Sequence, residues 1–325
     1  MTHSSFQAVN EVSLKSLNFQ KNDNLTNIYS YSDISQHSNT ARVSAHALSP
    51  HIGAVVQGVD LNTSLSSDTI RTIRDLLLRY QVIFFRNQTL TPHQHRDFAK
   101  AFGSLHVHPV YPTVPDVPEA IVLDTDKNDL KDNALWHTDV TFSETPPLGA
   151  ILVARHLPEI GGDTLWASAT AAYDALSSQM KAHLEGLTAL HDFTRSFPLS
   201  RFGRTADERN HWADVRNRNL PVEHPVIRIH PETGRRAIFV NEGFTTEICG
   251  IEQDESAALL SFLFRHLARP EFQIRWTWRK GDVAFWDNRI TQHYAVDDYR
   301  PHRRIMHRVT IMGDKPVGPT HTIRS

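Results

Sequence analysis

Residues 272–278 alternate without a break, Phe272, Ile274, Trp276 and Trp278 against Gln273, Arg275 and Thr277. A period of two belongs to a β-strand with one face in a core. A wholly apolar strand signal, residues 283–286, follows at once. Short runs of the same kind recur at residues 43–48, 54–56, 81–86, 120–123, 148–154, 164–167, 226–229, 236–240 and 304–312, cut by Gly and Pro turn signals such as Pro231-Glu232-Thr233-Gly234. So many short strands can bury their faces only in a sheet-rich domain. Helices are expected between them. Asp68 opens one with Ile70, Ile73, Leu76, Leu77 and Tyr80 on one face; Thr91-Pro92 caps a second, closed by Gly103; residues 168–187 carry helical spacing; and 254–267 is the strongest, striped by Leu259, Leu260, Leu263 and Leu267. Residues 194–220, dense in Arg, Asn and His, read as a long excursion able to act as a lid. Residues 1–42 are polar and without sustained period, an extension with no chemistry of its own. The expectation is an α+β, β-rich fold in one domain over residues 43–325, with helices packed outside.

Composition excludes several functions. A formal net charge of −2 over 325 residues leaves no electrostatic footprint for nucleic acid or an anionic membrane, so the basic run at 300–308 must be local chemistry. One cysteine, Cys249, excludes an internal disulfide and a cysteine-based metal cluster. No apolar run reaches the length of a membrane span, and the N-terminus lacks the charged-then-apolar order of a secretory signal. A soluble, cytoplasmic protein is expected.

Chemistry concentrates in two places. In Trp136-His137-Thr138-Asp139, an extended backbone turns His137 and Asp139 to the same side. That supplies two members of the two-histidine, one-carboxylate set that holds non-haem Fe(II) and leaves coordination positions open. With twenty histidines in the chain, the pair alone is a weak signal. The second place lies about 150 residues on, where Trp286-Asp287-Asn288-Arg289 runs into Gln292-His293-Tyr294 and then Arg303-Arg304-Ile305-Met306-His307-Arg308. His293, just beyond one strand and before another, is the third ligand favoured. Arg304 and Arg308, four apart on an expected strand, share a face; they are either structural ion pairs with buried carboxylates or receptors for two anionic ligands.

From Val43 to Gly318 the chain resembles the Fe(II)- and 2-oxoglutarate-dependent dioxygenases of the taurine dioxygenase family. The resemblance is carried by five ordered motifs: residues 106–112 (HVHPVYP), 136–142 (WHTDVTF), 161–166 (GGDTLW), 239–246 (FVNEGFTT) and 286–308, from WDNR onwards. It implies a double-stranded β-helix, or jelly roll, with Fe(II) on His137, Asp139 and His293. By motif, Thr164 and Arg304 would grip the distal carboxylate of 2-oxoglutarate. Arg308 would receive a sulfonate, helped by His108 and the backbone near Val140. Tyr111 and Asn133 would approach the amine end, Phe197 and Phe244 would wall the pocket, and Ser196 is a weaker candidate there. The implied reaction uses O2 to hydroxylate the carbon bearing sulfur in taurine, releasing sulfite and aminoacetaldehyde with succinate and CO2, in a homo-oligomer (dimer or tetramer). An alkyl sulfate, another sulfonate or an aryloxyacetate would suit the same chemistry. A zinc-dependent hydrolase using the same three ligands, or a non-catalytic jelly-roll binding protein, are the readings from other classes.

Overall fold

The computed structural model describes residues 43–108, 111–126 and 134–319. Among the described residues the first elements are β1 (Ser44–Ala47) and β2 (Ala54–Gln57), then α1 (Ser67–Tyr80), β3 (Val82–Phe85) and α2 (Pro92–Lys100). β4 (Leu105–His106), β5 (Thr113–Val114), β6 (Val117–Asp124) and β7 (Gly149–His156) follow. β8 (Thr164–Ser168) leads into α3 (Ala169–Asp174), α4 (Ser178–Leu184), β9 (Thr188–His191), α5 (Leu199–Phe202) and α6 (Ala206–Arg218). β10 (Val222–Pro225), β11 (Ile227–Ile229), β12 (Arg236–Ile238) and β13 (Thr245–Ile248) precede α7 (Gln253–Leu267). β14 (Gln273–Trp276), β15 (Val283–Asp287), β16 (Thr291–Ala295) and β17 (Ile305–Ile311) close the set.

The main sheet runs β1-β2-β3-β15-β7-β17-β6-β5, with β4 also on β17; a second sheet runs β14-β8-β16. Pairing is antiparallel except between β2 and β3. Side chains explain why the sheets face each other. Phe84 of β3 stacks on Trp276 of β14 at 3.9 Å and meets Trp166 of β8 edge-on at 5.3 Å, while Trp286 of β15 lies 5.8 Å from Trp166. These rings, with Leu152 and Met306, form the core between the sheets. The intervening residues Ile83, Phe85, Ile151, Val153 and Phe285 point the other way, onto Ile73 and Leu77 of α1 and Phe98 and Ala99 of α2. A sheet buried on both faces is why these strands read as continuous apolar runs. A third cluster packs α3 and α7 against β12, through Ala171, Ala237, Leu260 and Leu263. The architecture is the jelly roll with flanking helices.

Two expectations change. The helical spacing at 168–187 is divided into α3 and α4, because Ser177 takes a non-helical conformation and its hydroxyl accepts the Met180 N–H, starting a new helix. The excursion at 194–220 is not irregular throughout: Thr205 and Glu208 form a reciprocal capping box that opens α6. Residues 1–42, read as a polar extension, lie outside the described residues. Among the described residues, no helix is long and apolar enough to cross a membrane.

Candidate active site

The strand expected through His137 and Asp139 is absent. His137 instead makes a single antiparallel bridge to His293, with main-chain bonds of 3.1 and 2.8 Å in the two directions. His293 is central in β16, opposite Trp166 of β8, so the bridge fixes one ligand on the second sheet. Asp139 then starts a turn in which Val140 adopts φ 55, a left-handed conformation that costs a β-branched residue about 1–2 kcal/mol. The turn is braced from behind. Asn288 Oδ1 accepts the Asp139 N–H at 2.9 Å and its Nδ2 donates to the Asp139 carbonyl at 3.0 Å. Thr141 Oγ1 is bonded to His191 Nδ1 and accepts from Asn241 Nδ2. Backbone strain of this kind persists only where the surroundings over-determine it.

The result is a compact donor set. His137 Nε2 and His293 Nε2 lie 3.9 and 4.0 Å from Asp139 Oδ1, and one donor atom from each residue falls within 4.8 Å of the others. His137 Nδ1 lies 2.8 Å from the Leu135 carbonyl, which places the proton on Nδ1 and leaves the Nε2 lone pair for a metal. Burial holds the His293 imidazole well below its ordinary pKa, hence neutral. Burial alone would raise the Asp139 carboxyl, but the Arg308 guanidinium in contact with it outweighs that and holds it at about 2. Asp139 Oδ2 is buried without a protein partner. An ionised carboxylate with an unclaimed oxygen, beside two imidazole nitrogens, fits a divalent metal.

Two small cavities meet at Arg308. One, of about 40 Å³, is lined by Thr164, Trp286, His293, Tyr299, Arg304 and Arg308. The other, of about 20 Å³, is lined by His108, Tyr111, His137, Asp139, Val140, Ser196, Phe197, Phe244 and Arg308. The sequence candidates thus divide into two groups around the donor set. Asn133 lies outside the described residues. The two arginines behave differently. Arg308 Nη1 is bonded to Asp139 Oδ1 at 2.7 Å, which is the ion-pair alternative. Arg304, just before β17, is buried, forms no ion pair among the described residues, and touches only the Thr164 hydroxyl with its side-chain nitrogens. Its Nε has no partner. A buried guanidinium with no carboxylate in contact is costly, and burial lowers its pKa, though Asp163 nearby opposes this; an anionic ligand would supply the missing contact.

His108 completes the second cavity. Its Nδ1 accepts the Tyr111 N–H at 3.3 Å, and burial, followed by Arg308, keeps the ring neutral, so its single proton sits on Nε2. Phe197 stacks on Phe193 at 4.8 Å and faces Phe142 and Phe244 edge-on or offset, an aromatic wall that excludes water. Ser196 donates to the Gly243 carbonyl at 2.6 Å, tying the segment that carries Phe197 to the one that carries Phe244. Sequence reasoning missed Asn288 and Trp278. Asn288 stood inside a quoted motif without a role, and Trp278 stood at the end of the alternation. It lies beyond the end of β14 yet stays buried, its indole N–H donating to Thr164 Oγ1 at 3.0 Å.

Comparison with known proteins gives a consistent picture. The family described as "Taurine catabolism dioxygenase TauD, TfdA family" matches residues 44–310. An alpha-ketoglutarate-dependent sulfate ester dioxygenase of Pseudomonas putida is 38% identical over 84% of this chain and 90% of its own length. An alkylsulfatase of Acinetobacter baylyi is 36% identical over 86% of this chain and 88% of its own. The crystal structure of a taurine dioxygenase from Burkholderia xenovorans superposes with a TM-score of 0.73 at 38% identity, covering 85% of this chain and 93% of that one.

Proposed function

The chain belongs to the TauD/TfdA family of dioxygenases that use Fe(II), 2-oxoglutarate and O2, and from that premise we propose that it hydroxylates the carbon bearing sulfur in a small sulfonate, with taurine the first candidate. The observation that carries this reading is the placement of Arg304 in one cavity beside the donor set and of Arg308 at its junction with a second. One co-substrate and one substrate, both anionic, are what two such receptors would serve.

His137, Asp139 and His293 would hold the iron, which with 2-oxoglutarate and O2 supplies the oxidising power for an unactivated C–H bond. The remaining roles belong to the chain. Arg304 and the Thr164 hydroxyl would fix the distal carboxylate of 2-oxoglutarate, so the keto acid enters in one orientation. Arg308 keeps its Nε and second Nη beyond the Asp139 contact, and with His108 Nε2–H and the Val140 N–H it would orient the sulfonate. Tyr111, Phe197 and Phe244 would hold the carbon chain and keep water out; Asn133 would meet the amine. Hydroxylation of that carbon gives an α-hydroxysulfonate, which collapses to an aldehyde and sulfite as its hydroxyl proton leaves. Succinate and CO2 balance the oxygen used.

A second reading is favoured by the sulfate ester dioxygenase and alkylsulfatase relatives: the same chemistry on an alkyl sulfate, hydroxylated at the carbon bearing oxygen. The products separate the two. Iron-loaded protein given 2-oxoglutarate, O2 and taurine is expected to release sulfite equal to succinate. Hexyl sulfate, used more than tenfold better by kcat/KM and releasing sulfate, would replace the first reading by the second. Succinate from neither would overturn both.

A further inference from the structure

We propose that Trp278 is a positioning residue for the co-substrate, fixing the direction in which the Thr164 hydroxyl donates its proton. The inference rests on the family reading, in which 2-oxoglutarate occupies the cavity beside Arg304. Thr164 Oγ1 receives the Trp278 indole N–H at 3.0 Å and an Arg304 guanidinium N–H at 3.3 Å. A hydroxyl has one hydrogen and two lone pairs. With both lone pairs engaged by donors, its hydrogen must point along the remaining direction, and among the described residues no protein group accepts it. Thr164 lines the cavity. Its hydrogen is therefore left for a ligand.

The choice of tryptophan matters because an indole N–H donates and never accepts. A glutamine or a second hydroxyl could reverse roles and let Thr164 donate into the protein. Trp278 removes that option, so Thr164, like Arg304 beside it, presents only a donor to the distal subsite. Such a pair suits a carboxylate, which only accepts, and disfavours an amide, whose NH2 would meet donors. The indole is held in place to do this. Trp278 is buried 6.2 Å from Trp166, and the preceding Thr277 hydroxyl donates to Asp163, the neighbour of Thr164, whose carboxylate also takes Arg275 at 2.6 Å. The segment that carries the donor is thus bound to the segment that carries the acceptor.

The test is a double-mutant cycle read by anaerobic titration calorimetry on full-length, Fe(II)-loaded protein. Trp278→Phe is expected to weaken 2-oxoglutarate binding five- to tenfold. Binding of 2-oxopentanoate, which has the keto acid end but no distal carboxylate, should change less than twofold. In a Thr164→Val background, Trp278→Phe should change 2-oxoglutarate binding less than twofold, because its only route of action is gone. Trp278→Gln, which can accept as well as donate, is the companion variant if the phenylalanine form does not fold, and should weaken 2-oxoglutarate binding more than threefold while changing 2-oxopentanoate binding less than twofold. Equal weakening of both keto acids, an undiminished effect in the Thr164→Val background, or no effect on 2-oxoglutarate would each overturn the inference. Wild-type protein that binds no 2-oxoglutarate would overturn the family reading instead, and the inference with it.

Discussion

At the scale of single residues, the contrast between Arg304 and Arg308 says most about the site. Arg308 has a carboxylate in contact; Arg304, equally buried, has only a hydroxyl. A residue kept for stability alone would not leave a guanidinium desolvated and unpaired. Arg304→Met should therefore leave the melting temperature of the ligand-free protein unchanged or raise it. The same substitution should weaken 2-oxoglutarate binding by about thirtyfold or more, the size expected from about 2–5 kcal/mol for a buried charge-assisted contact. Calorimetry and thermal melting on one preparation would check both. A drop of many degrees in melting temperature would make Arg304 a structural residue. Residue identity was legible in the sequence where it was chemical: the imidazoles, the carboxylate and the arginines stood in ordered motifs, and the structure brings them together. Asn288 and Trp278 were not legible as site residues, because they act through hydrogen bonds to Asp139 and Thr164 that sequence spacing does not reveal.

Among the elements, the site depends on two sheets keeping their separation. Phe84 fills that space, stacked on Trp276 and edge-on to Trp166, with Trp286 beyond, and Trp286 in turn touches His293 at 4.9 Å. Phe84→Ala should cost about 3–5 kcal/mol of stability, the range for a large buried aromatic, seen as a lowered denaturant midpoint at unchanged slope. A loss under about 1 kcal/mol would mean that the sheets close the gap without it. The α5–α6 region is a different kind of element. α6 buries only Val215, and its start depends on the Thr205–Glu208 capping box. Thr205→Ala should cost about 1 kcal/mol and show as faster amide exchange confined to α6. Continuous apolar runs found strands such as β3 and β15 because both faces of the main sheet are dry, alternation found β14, which buries one face, and the Thr91 cap found α2. The division of 168–187 escaped because the apolar spacing continues across Ser177 while the backbone does not. The His137–Asp139 turn escaped because Val140 sits in a conformation its side chain disfavours, held there by partners about 50 to 150 residues away.

Across the whole molecule, neutral buried histidines tie stability to pH. Burial holds His95, whose Nε2 meets the Ile151 carbonyl, down at about 3, and His224, whose Nε2 meets the Thr141 and Ser143 carbonyls, at about 4. Both folded values lie below the ordinary value of about 6.5. Above that pH the rings are neutral in either state and the fold keeps their full contribution. Below it the unfolded chain takes up protons that the fold refuses, so stability is lost as pH falls from about 6.5 towards 4, by up to about 1.4 kcal/mol per pH unit for each group. Melting temperature should therefore be flat from pH 7 to 8 and fall below 6.5, and the double substitution His95→Gln with His224→Gln should flatten the fall. An unchanged slope would assign acid sensitivity elsewhere. The central claim, that His137, Asp139 and His293 form one iron site serving the whole chain, is tested most directly by metal content. Protein dialysed anaerobically against Fe(II) should retain one iron per chain, and Asp139→Ala and His293→Ala should retain none while keeping the wild-type far-ultraviolet spectrum. Stoichiometric iron in either folded variant would contradict the account.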